Sequence, residues 1–166
     1  FVGEALKGGY REKIFLATKL PVWLTNSYED FEKYLNEQLE RLQTEYIDFY
    51  LLHALSENAW NKIYELKVLD FLDEAKKKGK IKYAGFSFHD ELNVFKNIVD
   101  SYSWDFCQIQ LNYLDRNYQA GVEGMRYAKS KDISMVIMEP IKGGKLSNAP
   151  DEILEIWNRS QIKRTP

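Results

Sequence analysis

The stretch that decides the fold runs from residue 47 to residue 89. It opens with IDFYLLH (47–53), passes through a helical pattern from about Trp60 to Lys78, and closes with GKIKYAGFSFH (79–89). Ile47–Leu52 and Ile81–Phe88 are nearly continuous apolar, β-rich runs. Strands buried on both faces read that way, whereas a strand with one wet face alternates. The helical pattern between them buries Leu66, Leu69, Leu72 and Ala75, and Gly79 is placed to end it in the left-handed cap conformation. Strand, helix and strand in succession make a βαβ unit with parallel strands and a right-handed crossover.

The same alternation extends in both directions. Ile14–Thr18 lies before the unit, and Phe106–Leu111 and Ile133–Met138 lie after it. A helix from about Tyr28 to Gln43 carries the apolar stripe Phe31, Leu35, Leu39 and Leu42. Asn26 or Ser27 can cap it, with Glu29 or Asp30 as the capping-box partner. Further helices are expected from about Glu91 to Tyr102, from about Gln119 to Lys131, and after Pro150 and Asp151. Five β-α steps in a row predict an α/β fold with a parallel sheet. Two architectures satisfy this: a doubly wound sheet, or a portion of a (β/α)8 TIM barrel. The dinucleotide fingerprint G-x-G-x-x-G is absent, and Gly143-Gly144 is too short to replace it.

Composition narrows the function classes. The 166 residues are 45% hydrophobic and 29% charged, with a net charge of -2, an ordinary globular mix. The densest basic cluster, Lys76-Lys77-Lys78 with Lys80 and Lys82, reads as a helix C-terminus. No nucleic-acid partner is expected from it. No apolar run reaches the length of a membrane span, so no membrane partner is expected. The single cysteine, Cys107, forms neither an intrachain disulfide nor a metal cluster, and it points to a reducing, cytoplasmic setting. No metal ligand set is expected. The chain opens Phe-Val-Gly-Glu, with neither a starting Met nor a basic, apolar leader; the expectation is a start in mid-protein or a trimmed end.

Chemistry gathers at the strand ends. Read in order, the runs end in Lys19, in His53, in Ser87 then His89, in Gln108, Gln110 and Asn112, and in Glu139. In a (β/α)8 barrel those ends converge on the face that holds the active site. The competing explanation is that strands must exit to water. Lys19, before Leu20-Pro21, has three readings: a Schiff-base nucleophile, a cation that lowers a neighbour's pKa, or a solvated side chain. His53 is either a satisfied core group or a catalytic or orienting residue.

Lys19 in IFLATKLP, His53 in IDFYLLH, the segment GKIKYAGFSFH, Gln108 in FCQIQLNY and MEPIKGGKL (138–146) resemble, in this order, the aldo/keto reductase family. The wording of GFSFH and MEPIKGGKL is most similar to a microbial branch whose members often carry a C-terminal ferredoxin-like iron–sulfur segment. The resemblance covers essentially the whole chain and implies strands three to seven of the barrel, with residues 1–166 as one partial domain. It implies NADP(H)-dependent reduction of small aldehydes or ketones, or alcohol oxidation in reverse, by general-acid catalysis with electrostatic support for a developing alkoxide. Lys19 matches the family's lysine and His53 its histidine. Ser87 and Gln108 match groups that bind the nicotinamide carboxamide. Met138, Glu139, Ile141, Gly143 and Gly144 match the loop under the nicotinamide and pyrophosphate. Trp23, His89, Asn112 and Tyr113 would line the substrate mouth, or else pack loops.

Some family positions differ. Phe88 stands where Asn is common, Met138 where a tyrosine often stacks, and Glu139 where a small hydroxyl residue is usual. The family's catalytic tyrosine and its aspartate are expected upstream of residue 1, and the bases for the 2′-phosphate after Pro166. An iron–sulfur cluster is expected only in a longer parent protein. A full barrel takes about 250 residues, so five strands alone would leave open edges that invite self-association, and the isolated chain is expected to be inactive. Two alternatives stay open: a non-catalytic, cofactor-sensing member of the family, and a Schiff-base lyase using Lys19.

Overall fold

The apolar run Ile81–Phe88 forms one strand over its full length, and four others pair around it. The computed structural model describes residues 1–162. Its strands are β1 (Ala17–Leu20), β2 (Ile47–Leu55), β3 (Ile81–Phe88), β4 (Phe106–Gln110) and β5 (Ser134–Met138). All pair in parallel, in the sequential order β1-β2-β3-β4-β5. The helices are α1 (Val2–Ala5), α2 (Tyr28–Leu42), α3 (Glu57–Glu65), α4 (Val68–Lys77), α5 (Leu92–Asp100), α6 (Gly121–Ser130) and α7 (Asp151–Arg159).

The strand order decides between the two candidate architectures. A doubly wound sheet reverses direction and carries helices on both faces. Here the order never reverses, so right-handed crossovers place successive helices on the same face, as in a (β/α)8 wall. Packing agrees. Leu20, Tyr50, Leu52, Ala84, Phe86, Phe88, Cys107 and Ile109 face the helices and are buried with Phe31, Leu35, Ile63, Phe71, Leu72, Phe95 and Ile98. Ring contacts cross this layer, such as Phe86 to Phe95 at 5.8 Å and Tyr50 to Phe71 at 6.5 Å.

The other face carries Lys19, Phe49, Leu51, His53, Tyr83, Gly85, Ser87, Phe106, Gln108, Gln110, Val136 and Met138, as the register requires. Its lower half is aromatic: Phe49 stacks on Tyr83 at 5.1 Å and meets Phe106 edge-on at 5.2 Å. Gly85 makes room for this row, because a Cβ there would stand 2.6 Å from both the ring and the carbonyl oxygen of Phe106. The strands therefore read as nearly continuously apolar because the lower half of this second face is apolar too, although Tyr83 and Val136 remain more than two-fifths exposed.

Three expectations need correction. The first strand begins at Ala17, not Ile14, and Phe15 is 76% exposed. The Leu16 N–H donates to the Asp48 carboxylate (2.9 Å) instead of joining a ladder. The expected helix 60–78 is two helices, because Lys67 takes a left-handed conformation (φ 65°) between α3 and α4. The second strand extends to Leu55, with a register shift between Leu52 and Leu55. The capping box of α2 forms as expected, with Asp30 accepting from the Ser27 N–H at 3.1 Å. No helix among the described residues is long and apolar enough to cross a membrane.

Candidate active site

Lys19 and His53 share the face away from the helices. Lys19 is the third residue of β1 and pairs in register with Leu51, two residues before His53. Gln38 of α2 donates to the Lys19 carbonyl oxygen (2.8 Å) and ties the strand end to its helix. Lys19 Nζ has no carboxylate partner among the described residues, and partial burial lowers its pKa. Burial is also the largest cause of the lowered pKa of His53, followed by the charge of Lys19 and that of His89. All three effects favour the neutral imidazole, a form that both donates and accepts a hydrogen bond. Trp23, half exposed, lays its ring 5.0 Å from the His53 ring.

The position of His53 depends on a bulge. Ala54 has φ 54°, inside the register shift of β2, and its N–H donates to Ser87 Oγ at 2.7 Å. Bulges re-aim side chains at the rims of sheets. Ser87 is fully buried; with its oxygen accepting from Ala54, its hydroxyl proton remains as a donor. Gln108 pairs in register with Ser87, and its buried Oε1 has no partner. A buried amide oxygen without a donor is costly unless a ligand supplies one.

Met138 ends β5 opposite Gln110, and the chain then turns sharply. Glu139 (φ 52°) and Lys142 (φ 48°) are left-handed, followed by Gly143 (φ 65°) and Gly144 (φ 90°). A Cβ at either glycine would meet nothing within 4 Å, so backbone conformation calls for glycine there while open space lies beside it. Ile141 is half exposed.

The remaining expected pocket residues separate. His89 is exposed at the end of β3, and its N–H donates to the Leu55 carbonyl oxygen (2.9 Å). Asn112 is buried and its amide is engaged within the loop. Its oxygen accepts from the N–H groups of Leu114 and Asp115, and its Nδ2 donates to Asp115 at 2.9 Å. The Tyr113 hydroxyl donates to the Leu146 carbonyl oxygen (3.0 Å), and its ring meets Trp157 of α7. The structure thus gathers Lys19, Trp23, His53 and His89, and commits the polar groups of Asn112 and Tyr113 to loop packing.

One group escaped sequence reading. Asp115 accepts from Lys142 (2.8 Å), Asn112 and Gln110 (3.2 Å), joining the loops after β4 and β5. The Asn112-x-x-Asp115 spacing, an Asx-type turn signal, could have revealed part of it. Cys107 is buried on the helix side, where burial pushes its thiol up to about 12, far from a reactive thiolate.

The sequence model of the Aldo/keto reductase family matches residues 1–164. A glycerol 2-dehydrogenase (NADP(+)) of Saccharomyces cerevisiae is 31% identical over 128 residues, covering 60% of this chain and 39% of that protein. An aldo-keto reductase [NADP(+)] of Schizosaccharomyces pombe is 27% identical over 160 residues, covering 89% of this chain and 46% of that protein. Among solved structures, the holo form of aldo-keto reductase AKR11C1 from Bacillus halodurans is similar with a TM-score of 0.77 and 29% identity, over 99% of this chain and 58% of that one. The chain spans between 39% and 58% of the length of these relatives.

Proposed function

This chain belongs to the aldo/keto reductase family, and on that premise we propose that its protein reduces small aldehydes or ketones to alcohols with NADPH. The observation that carries the reading is the shared placement of Lys19 and the neutral-biased His53 on one strand-end face. The residues present suit a nicotinamide cofactor. The partnerless Oε1 of Gln108, beside the Ser87 hydroxyl, offers an acceptor and a donor to a carboxamide, which itself has both. Met138 gives a soft apolar surface, and the loop Glu139 to Gly144 leaves space at its glycines. The cofactor, when bound, supplies the hydride.

His53 then donates a hydrogen bond to the substrate carbonyl oxygen. It stays neutral because burial, Lys19 and His89 all resist its protonation. The Lys19 cation, without a carboxylate partner among the described residues, favours negative charge developing on that oxygen. Trp23, packed on His53, shields the site from water on one side.

The test is NADPH oxidation by the whole protein with a panel of small aldehydes, alongside Lys19→Met. Lys19→Met is expected to lower kcat by at least about a hundredfold while NADPH binding stays near its original strength. Turnover that survives the substitution sinks the role given to Lys19. Borohydride trapping with a carbonyl substrate provides the contrast: covalent labelling at Lys19 would replace hydride transfer with Schiff-base chemistry.

A further inference from the structure

We propose that Gln38 is a positioning residue for Lys19, holding from α2 the strand end that aims the lysine at the site. The assignment rests on the reductase reading, in which the Lys19 ammonium acts at the carbonyl oxygen.

Lys19 sits at a weak point of the sheet. β1 has four residues and pairs only with β2 among the described residues. Pro21 follows, with no N–H to continue a ladder. Along a strand, successive carbonyls point to opposite edges. The Leu16 carbonyl oxygen accepts from the Phe49 N–H of β2 at 3.0 Å, so the carbonyls of Thr18 and Leu20 turn the same way. The Lys19 carbonyl turns to the outer edge, where no described strand meets it. There Gln38 Nε2 donates to it at 2.8 Å. Chain at the margin of a sheet opens readily unless it is tied down. This bond ties it at the residue that carries the charge.

The helix phase delivers Gln38 to that edge. Phe31 and Leu35 of α2 are fully buried in the layer between helices and sheet. Gln38 follows them by seven and three residues, on the same helix face. An apolar side chain would suit that face. Instead an amide stands there, with its Nε2 on Lys19 and its Oε1 buried without a partner among the described residues. A buried acceptor left unpaired lowers stability, a loss that leucine or methionine would not incur. The contribution of the amide therefore lies in the carbonyl it holds. The bond is to the main chain, so it leaves the Lys19 side chain free while fixing where that side chain starts. At a reacting centre, a misplacement of about 1 Å can cost about a hundredfold in rate.

Gln38→Met in the whole protein keeps the length of the side chain and removes the donor. The first readout needs no turnover. It is the His53 pKa from an NMR titration, on which the charges of Lys19 and His89 act. If Gln38 aims Lys19, that pKa rises in Gln38→Met, as in Lys19→Met. In the Lys19→Met background, Gln38→Met then adds nothing further. An unmoved pKa, or an equal rise in both backgrounds, limits Gln38 to helix packing and overturns the proposal. The second readout is turnover with NADPH and a small aldehyde. In Gln38→Met, kcat is expected to fall by about tenfold to a hundredfold while KM for NADPH holds. An undiminished kcat overturns the proposal as well. Gln38→His returns an N–H at similar reach and is expected to recover most of kcat; no recovery overturns the role of the donor. A raised His53 pKa in a protein that reduces no aldehyde keeps the positioning and overturns the reductase reading.

Discussion

The Ala54 N–H donates to the Ser87 hydroxyl oxygen at 2.7 Å, and this bond ties the bulge of β2 to β3 beside His53. Ala54 holds φ 54°, a conformation that an alanine leaves unless something retains it. Ser87 is thus a positioning residue as well as a candidate cofactor contact.

Ser87→Ala is expected to leave the part-buried Ala54 N–H unpaired. The cost is about 1–3 kcal/mol of stability, read by chemical denaturation. If the bulge sets the environment of His53, the imidazole resonances move as well. Lost stability with unmoved His53 resonances would show that the bulge survives without the serine.

The electrostatics around His53 have a testable sign. Lys19 and His89 add to burial in holding its pKa down, so Lys19→Met is expected to raise it, as an NMR titration would show. The folded-state value lies below the unfolded one. Folding is therefore unaffected by this group above the unfolded pKa of about 6.5 and is penalised as pH falls through it. A His53 pKa that falls, or does not move, in Lys19→Met would contradict the placement of the lysine charge.

At the opposite end of the sheet, Asp48 is 1% exposed and binds Arg11 at 2.9 Å, Lys82 at 2.8 Å and the Leu16 N–H. Burial alone would raise its pKa, but the Leu16 N–H, Lys82 and Arg11 together outweigh burial and hold it lowered. A depressed carboxylate pKa contributes stability above the unfolded value of about 3.9, and that contribution is lost as pH falls through the folded value. Asp48→Asn leaves the buried Arg11 guanidinium without its counter-charge. The expected cost is about 3 kcal/mol, with a flatter acid limb in the stability profile. Wild-type stability in the variant would mean that the Arg11 contacts to Thr44, Ile14 and Tyr46 suffice.

Much of this protein is local and was legible in the chain itself. The run Ile81–Phe88 is a strand from first residue to last, the Ser27/Asp30 box caps α2, and Gly79 takes the left-handed conformation after α4. Periodicity and capping act within one or two turns, so neighbouring residues suffice to read them. The alternation of elements settled the parallel α/β class, and the strand ends marked Lys19 and His53. Only the tertiary structure decided the sequential strand order, which makes the sheet a barrel wall, and the break at Lys67. It also decided what each polar group does. Ser87 meets Ala54 across 33 residues of sequence, and Lys142 reaches Asp115 across 27. Such partners are chosen by the strands that carry them side by side, and no pattern within either segment records the meeting.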